Sequence, residues 1–392
     1  MAVDLLISAL PGEIRAAVRC DGALQDFLVL RAAPPGADAA VQAGDRFLAR
    51  VRRFDKGLDG AFVDLGLERD ALLPTREAPE GIPPEGATLA VRVLRAPAAG
   101  KGARVSAKGV TANISGMKAP ARLPADEGAL EALLRTARPA RVVADDAALL
   151  QSLKATGVEA AFALYSDARP LFEAEGLEEQ VEALLVPRVT LAGGGFLLIE
   201  PGQTLTAIDV NAGRHEGRGG AAAQARAVNR AAVPEIARQL RLRALSGLIV
   251  VDFLAMKAPD DRKAVAAALR DAVAGDPEPC QVFGLSPSGL LEMTRRRGRP
   301  PLHELLCRPC GLAGSGREKT PETLAYEALR RVVAEVSGKV LVSVTLRVPP
   351  AVATVLGGPQ AAAALAAVER RLGRAVHVEP DPLEPAYAVV LK

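Results

Sequence analysis

The sequence predicts a multidomain chain of mixed α/β and α+β class, and three observations carry that reading. The first is size with composition: 392 residues, 49% of them hydrophobic, can bury several separate cores. The second is a succession of strand, glycine-broken loop, basic helix and strand between Gly202 and Phe253. The third is a run of short, glycine-punctuated, β-rich segments between Gly44 and Ala107, which follows a different period and needs a domain of its own.

Charge and cysteine usage narrow the class. The net charge of +3 and isoelectric point of about 8.7 are mildly basic. Lys and Arg gather around particular motifs, which favours a local polyanion site over a uniformly basic coat. Four cysteines, two of them in one C-x-x-C, do not make a disulfide framework, so a reducing, cytoplasmic setting is expected. The opening MAVDLLISALPGE has no basic flank and is broken by Asp4 and Pro11, a poor signal peptide, and no later stretch is long and uncharged enough to span a bilayer.

In chain order, residues 3–31 read as three short strands around Leu5, Ala16 and Leu28, punctuated by Pro11-Gly12 and Asp21-Gly22. They are too few to stand alone and need a later partner. APPGADA at 33–39 is the linker out. The β-rich array that follows suggests a small closed barrel, and the OB-fold is the barrel that binds single-stranded nucleic acid. The chain has no Trp and nine Phe, so each aromatic on such a barrel matters; Phe62 reads either as a stacking residue or as barrel core.

The organising stretch is 202–253. Leu205–Val210 and Leu248–Phe253 are apolar, β-rich runs, each interrupted late by a carboxylate, Asp209 and Asp252. Between them Ala225, Val228, Ala232, Ile236 and Leu240 recur at helical spacing, while Arg226, Arg230, Arg238, Arg241 and Arg243 supply charge. Pro234 should kink or divide that helix. A helix crossing between parallel neighbours would bring both carboxylates to one sheet edge, where ligands of open α/β sheets bind. Two carboxylates in basic surroundings suit Mg²⁺, which takes one or two carboxylates with several waters and acts on phosphate esters. Neither GGG at 193–195 nor GRHEGRGG at 213–220 is a P-loop: the first is hairpin chemistry, the second a basic loop over the carboxylates.

GLEEQVEALL within 142–186 is the clearest helix of an alternating strand and helix region. Arg295, Arg296, Arg297 and Arg299 form a basic run, either a solvated face or a track for an RNA backbone. Cys307-Arg308-Pro309-Cys310 supplies two thiolates where a structural zinc takes four ligands, so two chains could share one ion; the LAGSG that follows argues against a redox motif. His303 is a further candidate ligand or a surface histidine. Thr320 with Pro321 starts a helix that opens a small C-terminal α+β domain.

IDVNAGR at 208–214, EIARQLRLRALSGLIVVDF at 235–253 and GLLEMTRRR at 289–297 resemble the catalytic core of the ribonuclease E/G family, magnesium-dependent endoribonucleases. The resemblance implies that Asp209 and Asp252 coordinate Mg²⁺ and that Asn211 orients one of them. It implies an RNase H-like subdomain (1–35 and 138–186) with an inserted OB-fold (36–110). A reduced 5′-sensor region (111–137) follows, then a DNase I-like catalytic α/β subdomain (187–302), a zinc-link (303–316) and a small C-terminal α+β domain (317–392). Phe62 would stack on a base and Lys101 contact RNA, while the family's second aromatic position holds Leu72. Arg135-Thr136 matches the family's pocket for a 5′-monophosphate, although the long helical stretch that follows the pair in larger members is missing. Cys307 and Cys310 would bind Zn²⁺ between two protomers of a homodimer, and the C-terminal domain would support a homotetramer. The implied function is cleavage of single-stranded RNA by metal-activated water, leaving 5′-phosphate and 3′-hydroxyl ends. The alternative is a non-catalytic RNA-binding protein derived from the family.

Overall fold

Three strands open the chain, Val3–Leu10 (β1), Glu13–Cys20 (β2) and Ala23–Arg31 (β3), joined by tight turns at Gly12 and Gly22. Next come Arg46–Asp55 (β4), Gly60–Asp64 (β5), Ala71–Pro74 (β6), Thr88–Arg95 (β7), Arg104–Ser106 (β8) and Ala121–Leu123 (β9). In a computed structural model these are arranged in two compact units: Met1–Ala37, Leu130–Arg296 and Pro301–Lys392 form one, Asp38–Ala129 with Arg297–Pro300 the other. The structure describes all residues except 1, 32–40, 42–43, 96, 98–101, 111–115, 124–127, 203, 214–219, 311–315, 337–338, 340–342, 360 and 392. The linker expected at 33–39 lies outside the described residues.

Taken by itself, the second unit is a closed five-stranded barrel. Its strands run in the order β5-β6-β8-β7-β4, β4 pairs back onto β5, and β9 adds to β4. This closure is consistent with an OB-like fold. Alternation along each strand sends Val51, Ala61, Val63, Ala71, Leu73, Val91, Val93 and Val105 into the barrel core.

The first unit continues with helices Ala129–Ala137 (α1) and Ala147–Lys154 (α2) and strands Arg141–Ala144 (β10) and Ala161–Leu164 (β11). β10 returns parallel to β1 and β11 parallel to β10, giving a sheet of order β11-β10-β1-β2-β3. This supplies the partner that the three opening strands needed. One face buries Leu5, Ile7, Ala16 and Val142 against α1 and α2. The other buries Leu6, Ala17, Phe27 and Val143 beneath Leu171–Ala174 (α3) and Glu178–Glu182 (α4). The helix expected over GLEEQVEALL is therefore short, five residues followed by a 3₁₀ turn at Ala183–Leu185. Pro187 sets the stop by holding Val186 extended, and Arg243 Nη2 donates to the carbonyl oxygens of Ala183 and Val186, at 3.5 and 2.8 Å.

A second sheet follows: Arg188–Thr190 (β12), Phe196–Pro201 (β13), Leu205–Asn211 (β14), helix Gly220–Leu242 (α5), Gly247–Asp252 (β15), helix Pro259–Val273 (α6), Cys280–Leu285 (β16) and Leu291–Arg295 (β17). Its order is β12-β13-β14-β15-β17-β16, and α5 and α6 cover one face through Val228, Ile236, Leu240, Val265 and Leu269. Contrary to the sequence expectation, Pro234 does not divide α5, which runs 23 residues through it. Pro234 is exposed, so the carbonyl that it leaves without a helical donor points where water can meet it.

The chain closes with helix Leu302–Leu306 (α7), the hairpin Cys307–Cys310 (β18) and Gly316–Lys319 (β19), and helix Pro321–Val336 (α8). Then come Val344–Val348 (β20), Pro350–Gly357 (α9), Ala362–Leu372 (α10), Val376–Pro380 (β21) and Ala388–Leu391 (β22). α8 starts as expected, with Thr320 Oγ1 accepting from Thr323 N at 3.1 Å. The last three strands and three helices share one core around Leu329, Val333, Leu346 and Val352. Among the described residues, no single helix is long and apolar enough to cross a membrane.

Candidate active site

The crossover places the carboxylates as the spacing anticipated. β14 alternates exposed Leu205, Ala207 and Asp209 with buried Thr206, Ile208 and Val210; on β15, Ile249 and Val251 are buried while Asp252 is exposed. The two strands pair in parallel, with Asp209 opposite Asp252. Both carboxylates thus stand at the carboxyl ends of neighbouring strands, whose backbones run about 4.8 Å apart, on the face that α5 and α6 leave open.

Three further groups fix or flank the pair. Asn211 lies two residues beyond Asp209 on the same face, and its Nδ2 donates to Asp209 Oδ2 at 2.7 Å. Asn229 on α5 is fully buried and clamps the chain just past Asp252: its Nδ2 donates to the Leu254 carbonyl at 2.9 Å and its Oδ1 accepts from Leu254 N at 3.0 Å. Phe196 is opposite Asn211 in the antiparallel β13–β14 pair, and the Arg188 guanidinium stacks 3.5 Å from its ring centroid. Sequence reasoning missed Asn229 and Arg188. A buried Asn at helical spacing among alanines and valines is the signal that could have found the first; nothing local marks the second. At the tip next to Asn211, Gly213 has φ +61°, and a Cβ there would meet the Gly194 carbonyl oxygen at 2.3 Å. Only glycine allows that approach. Gly193 and Gly194 take φ of +92° and +100° in the β12–β13 turn, the hairpin role expected of them. The basic loop expected over the carboxylates, residues 214–219, lies outside the described residues.

The arginines expected to make this region basic divide into two kinds. Arg243 is buried, bonded to Gln239 Oε1 at 2.6 Å and to carbonyls, and burial lowers its pKa to about 10. Arg238 is held by Glu235 and the Leu24 carbonyl, and Arg226 pairs with Asp261. In the run at 295–299 the RNA-tracking expectation fails for Arg295. Strand alternation turns it inward with Leu291 and Met293, and it forms a buried ion pair with Asp276 at 2.8 Å. Arg296 is exposed and pairs with Glu278. These guanidiniums spend much of their charge on the protein itself.

The other candidate residues lie on other elements. Phe62 is absent from the barrel core; it is half-buried on the outer face, opposite Leu72, with Arg53 stacked 4.3 Å from its ring. The barrel-core alternative for Phe62 is thereby corrected, because Ala61 and Val63, one residue to either side, take the inward positions. Lys101 lies outside the described residues. Arg135 and Thr136 are exposed in the last turn of α1, and the Thr136 hydroxyl donates to the Ala132 carbonyl at 2.8 Å. So held, it offers a phosphate no proton.

Cys307 and Cys310 sit at the two ends of β18. Cys307 packs toward the core and burial raises its thiol pKa, while Cys310 Sγ lies against Gly316. His303 is half-buried on α7, at 4.0 Å from Glu304. Among the described residues there is no group of three or more His, Cys, Asp or Glu that could hold a metal. Asp209 and Asp252 nonetheless fit a hard divalent cation, which takes one or two carboxylates and fills its remaining positions with water. The two thiols fit half of a zinc site.

The sequence model of the ribonuclease E/G family matches residues 107–298. Ribonuclease G of Escherichia coli K12 is 29% identical over an alignment of 488 positions that covers 98% of this chain and 98% of that protein. That alignment is longer than the chain, so the relative carries residues that this chain lacks. Ribonuclease G of Salmonella typhimurium is 37% identical over 224 residues, 56% of this chain and 45% of that protein. Ribonuclease E of Escherichia coli K12 is 36% identical over 233 residues, 58% of this chain and 22% of that protein. The matched span takes in the carboxylates, Asn211 and Asn229, and the full-length alignments take in both units: the chain belongs to the ribonuclease E/G family.

Proposed function

We propose that this protein is a metal-dependent endoribonuclease that cuts single-stranded RNA in RNA processing or decay, leaving a 5′-phosphate and a 3′-hydroxyl. The observation that carries the reading is the register of Asp209 against Asp252, with Asn211 bonded to the first carboxylate. Asp209 and Asp252 are the residues that would hold Mg²⁺. When bound, that ion polarises a phosphoryl oxygen and lowers the pKa of a water. The chain's own residues do the rest. Asn211 fixes one carboxylate, Asn229 fixes the loop that follows the other, and Arg188 sets a positive charge on the same face for the strand's phosphates.

Histidine chemistry is a poorer fit. Attack by the RNA 2′-hydroxyl calls for positioned imidazoles as acid and base. His303 and His377 lie on α7 and β21, away from the carboxylate strands, and His215 lies outside the described residues. RNA capture falls to the outer face of the OB-like barrel, where Arg53, Phe62 and Leu72 lie together. The sheet β11-β10-β1-β2-β3 is read as the RNase H-like subdomain, residues 187–302 as the DNase I-like one, and Cys307 and Cys310 as half of a zinc site completed by a second chain.

The test is cleavage of a short AU-rich single strand with and without Mg²⁺, by the native protein and by Asp209→Asn and Asp252→Asn. Each substitution removes a charge and keeps the shape, so cleavage should fall at least about a hundredfold while RNA binding largely survives. Near-native cleavage by either purified variant would refute the assignment; binding without Mg²⁺-dependent cleavage in the native protein would favour the non-catalytic alternative.

A further inference from the structure

The sheet that does not carry the carboxylate pair ends in a pocket of its own. β10 and β11 run parallel to β1, and just past their carboxyl ends stand Asp145 and the segment Tyr165–Ala168. The crevice outside the carboxyl ends of parallel strands is the general ligand position of α/β sheets. Here the last turns of α8 and α10 close that crevice, contributing Val336 and, from α10 and just after it, Arg371, Leu372 and Arg374. The crevice is open to solvent on one side and its volume is about 520 Å³, the size of a small-molecule site.

Its lining sorts into two chemistries. Arg371 and Arg374 stand three residues apart, with Lys339 at the rim, and guanidiniums so grouped suit the several oxygens of a phosphate. Arg371 Nη2 donates to the Asp167 carbonyl oxygen at 3.2 Å, a neutral acceptor that leaves its charge in place. Opposite them are acceptors. The Ser8 hydroxyl donates to Asp145 Oδ2 at 2.9 Å and Ala9 N donates to its Oδ1 at 2.7 Å, which fixes the carboxyl at the pocket wall. Burial raises its pKa, against the pull of the Arg330 and Arg371 charges. Asp167 and the Ser166 hydroxyl complete the acceptor side.

We propose that this pocket binds a small sugar phosphate of the size of a nucleoside 5′-monophosphate, its phosphate on Arg371 and Arg374 and its sugar hydroxyls toward Asp145 and Ser166. The site lies on a different sheet from Asp209 and Asp252, so a ligand held there reaches the chemistry through the protein and not by direct contact.

Calorimetric titration of the full chain with 5′-AMP, ribose 5-phosphate and adenosine tests it. Expected is saturable binding of the two phosphates and none of adenosine; AMP against ribose 5-phosphate tells whether the base contributes. Arg371→Gln and Arg374→Gln should each weaken AMP binding at least about tenfold, with the melting temperature little changed, and Asp209→Asn should leave it intact. Should Arg374→Gln fail to fold, Arg371→Gln, at an exposed position, carries the test alone. The proposal is overturned by no binding of either phosphate at millimolar concentration, by adenosine binding as well as AMP, or by affinity that survives Arg371→Gln. Loss of AMP binding in Asp209→Asn instead would place the ligand at the carboxylate pair and overturn it too, as would binding confined to oligonucleotides.

Discussion

Asn211 donates from Nδ2 to Asp209 Oδ2 at 2.7 Å, a bond between residues two apart on one strand and therefore on one face of the sheet. The bond takes one carboxylate oxygen and leaves the other without this partner. Its worth is geometric: a carboxylate on a short side chain at an exposed position would otherwise sample several rotamers. A hydrogen bond to a charged group contributes about 1.5–3 kcal/mol. Asn211→Ala should therefore lower kcat on a short RNA by about ten- to a hundredfold, leave RNA affinity nearly unchanged, and raise the Mg²⁺ concentration needed for half activity. A native Mg²⁺ dependence in that variant would show that Asn211 does not position the pair.

On the barrel, the exposed half of the Phe62 ring is the relevant surface, and Arg53 already lies over part of it. Base stacking on such a platform is worth about 1–3 kcal/mol, and an exposed cation–π contact about 0.5–1 kcal/mol. Phe62→Ala should raise KM for RNA more than it lowers kcat. Because the residue is outside the hydrophobic core, the melting temperature should move little. Arg53→Ala should behave alike but more weakly. Collapse of the fold in Phe62→Ala, seen as lost near-ultraviolet circular dichroism, would contradict the placement.

Much of this arrangement was legible in the residues, for identifiable reasons. Alternation fixed which face Asp209 and Asp252 would share, and the crossover helix between them demanded parallel strands. What the sequence concealed was the fate of charge. Arg243 and Arg295 look like their neighbours in the runs, half-buried Arg241 and exposed Arg296, yet one turns into a cluster of backbone carbonyls and the other onto buried Asp276. Both partners come from distant segments, so no local period could reveal them. For Asn229 the helical period marks the buried face but not the partner: its clamp on Leu254 depends on how α5 lies across the sheet. Pro234 misled in the opposite direction, because breaker rules weigh the lost hydrogen bond and not the exposed side on which it falls.

Zinc binding at Cys307 and Cys310 makes a demand on assembly. Two thiols per chain supply half of a tetrahedral site, so two more ligands must come from a second chain. The expected metal content of protein purified without chelator is one zinc per two chains. Cys307→Ser or chelation should shift the sizing profile from dimer to monomer. A stable dimer free of zinc would assign the hairpin a purely structural role.

The last prediction concerns the RNA 5′ end. Coupling a 5′-monophosphate to faster cleavage requires contacts made only when that phosphate is present. Here the pair that resembles the sensor is Arg135-Thr136, and Thr136 has committed its proton to the Ala132 carbonyl. That leaves an exposed guanidinium, whose contact with a phosphate is screened by solvent and salt. Discrimination between 5′-monophosphorylated and 5′-hydroxyl versions of one RNA should accordingly stay under about tenfold in kcat/KM, or about 1.4 kcal/mol of coupling. Arg135→Ala should change the ratio by less than that. A strong monophosphate preference that disappears in Arg135→Ala would mean that Thr136 releases Ala132 when RNA binds and that the pocket assembles on its ligand.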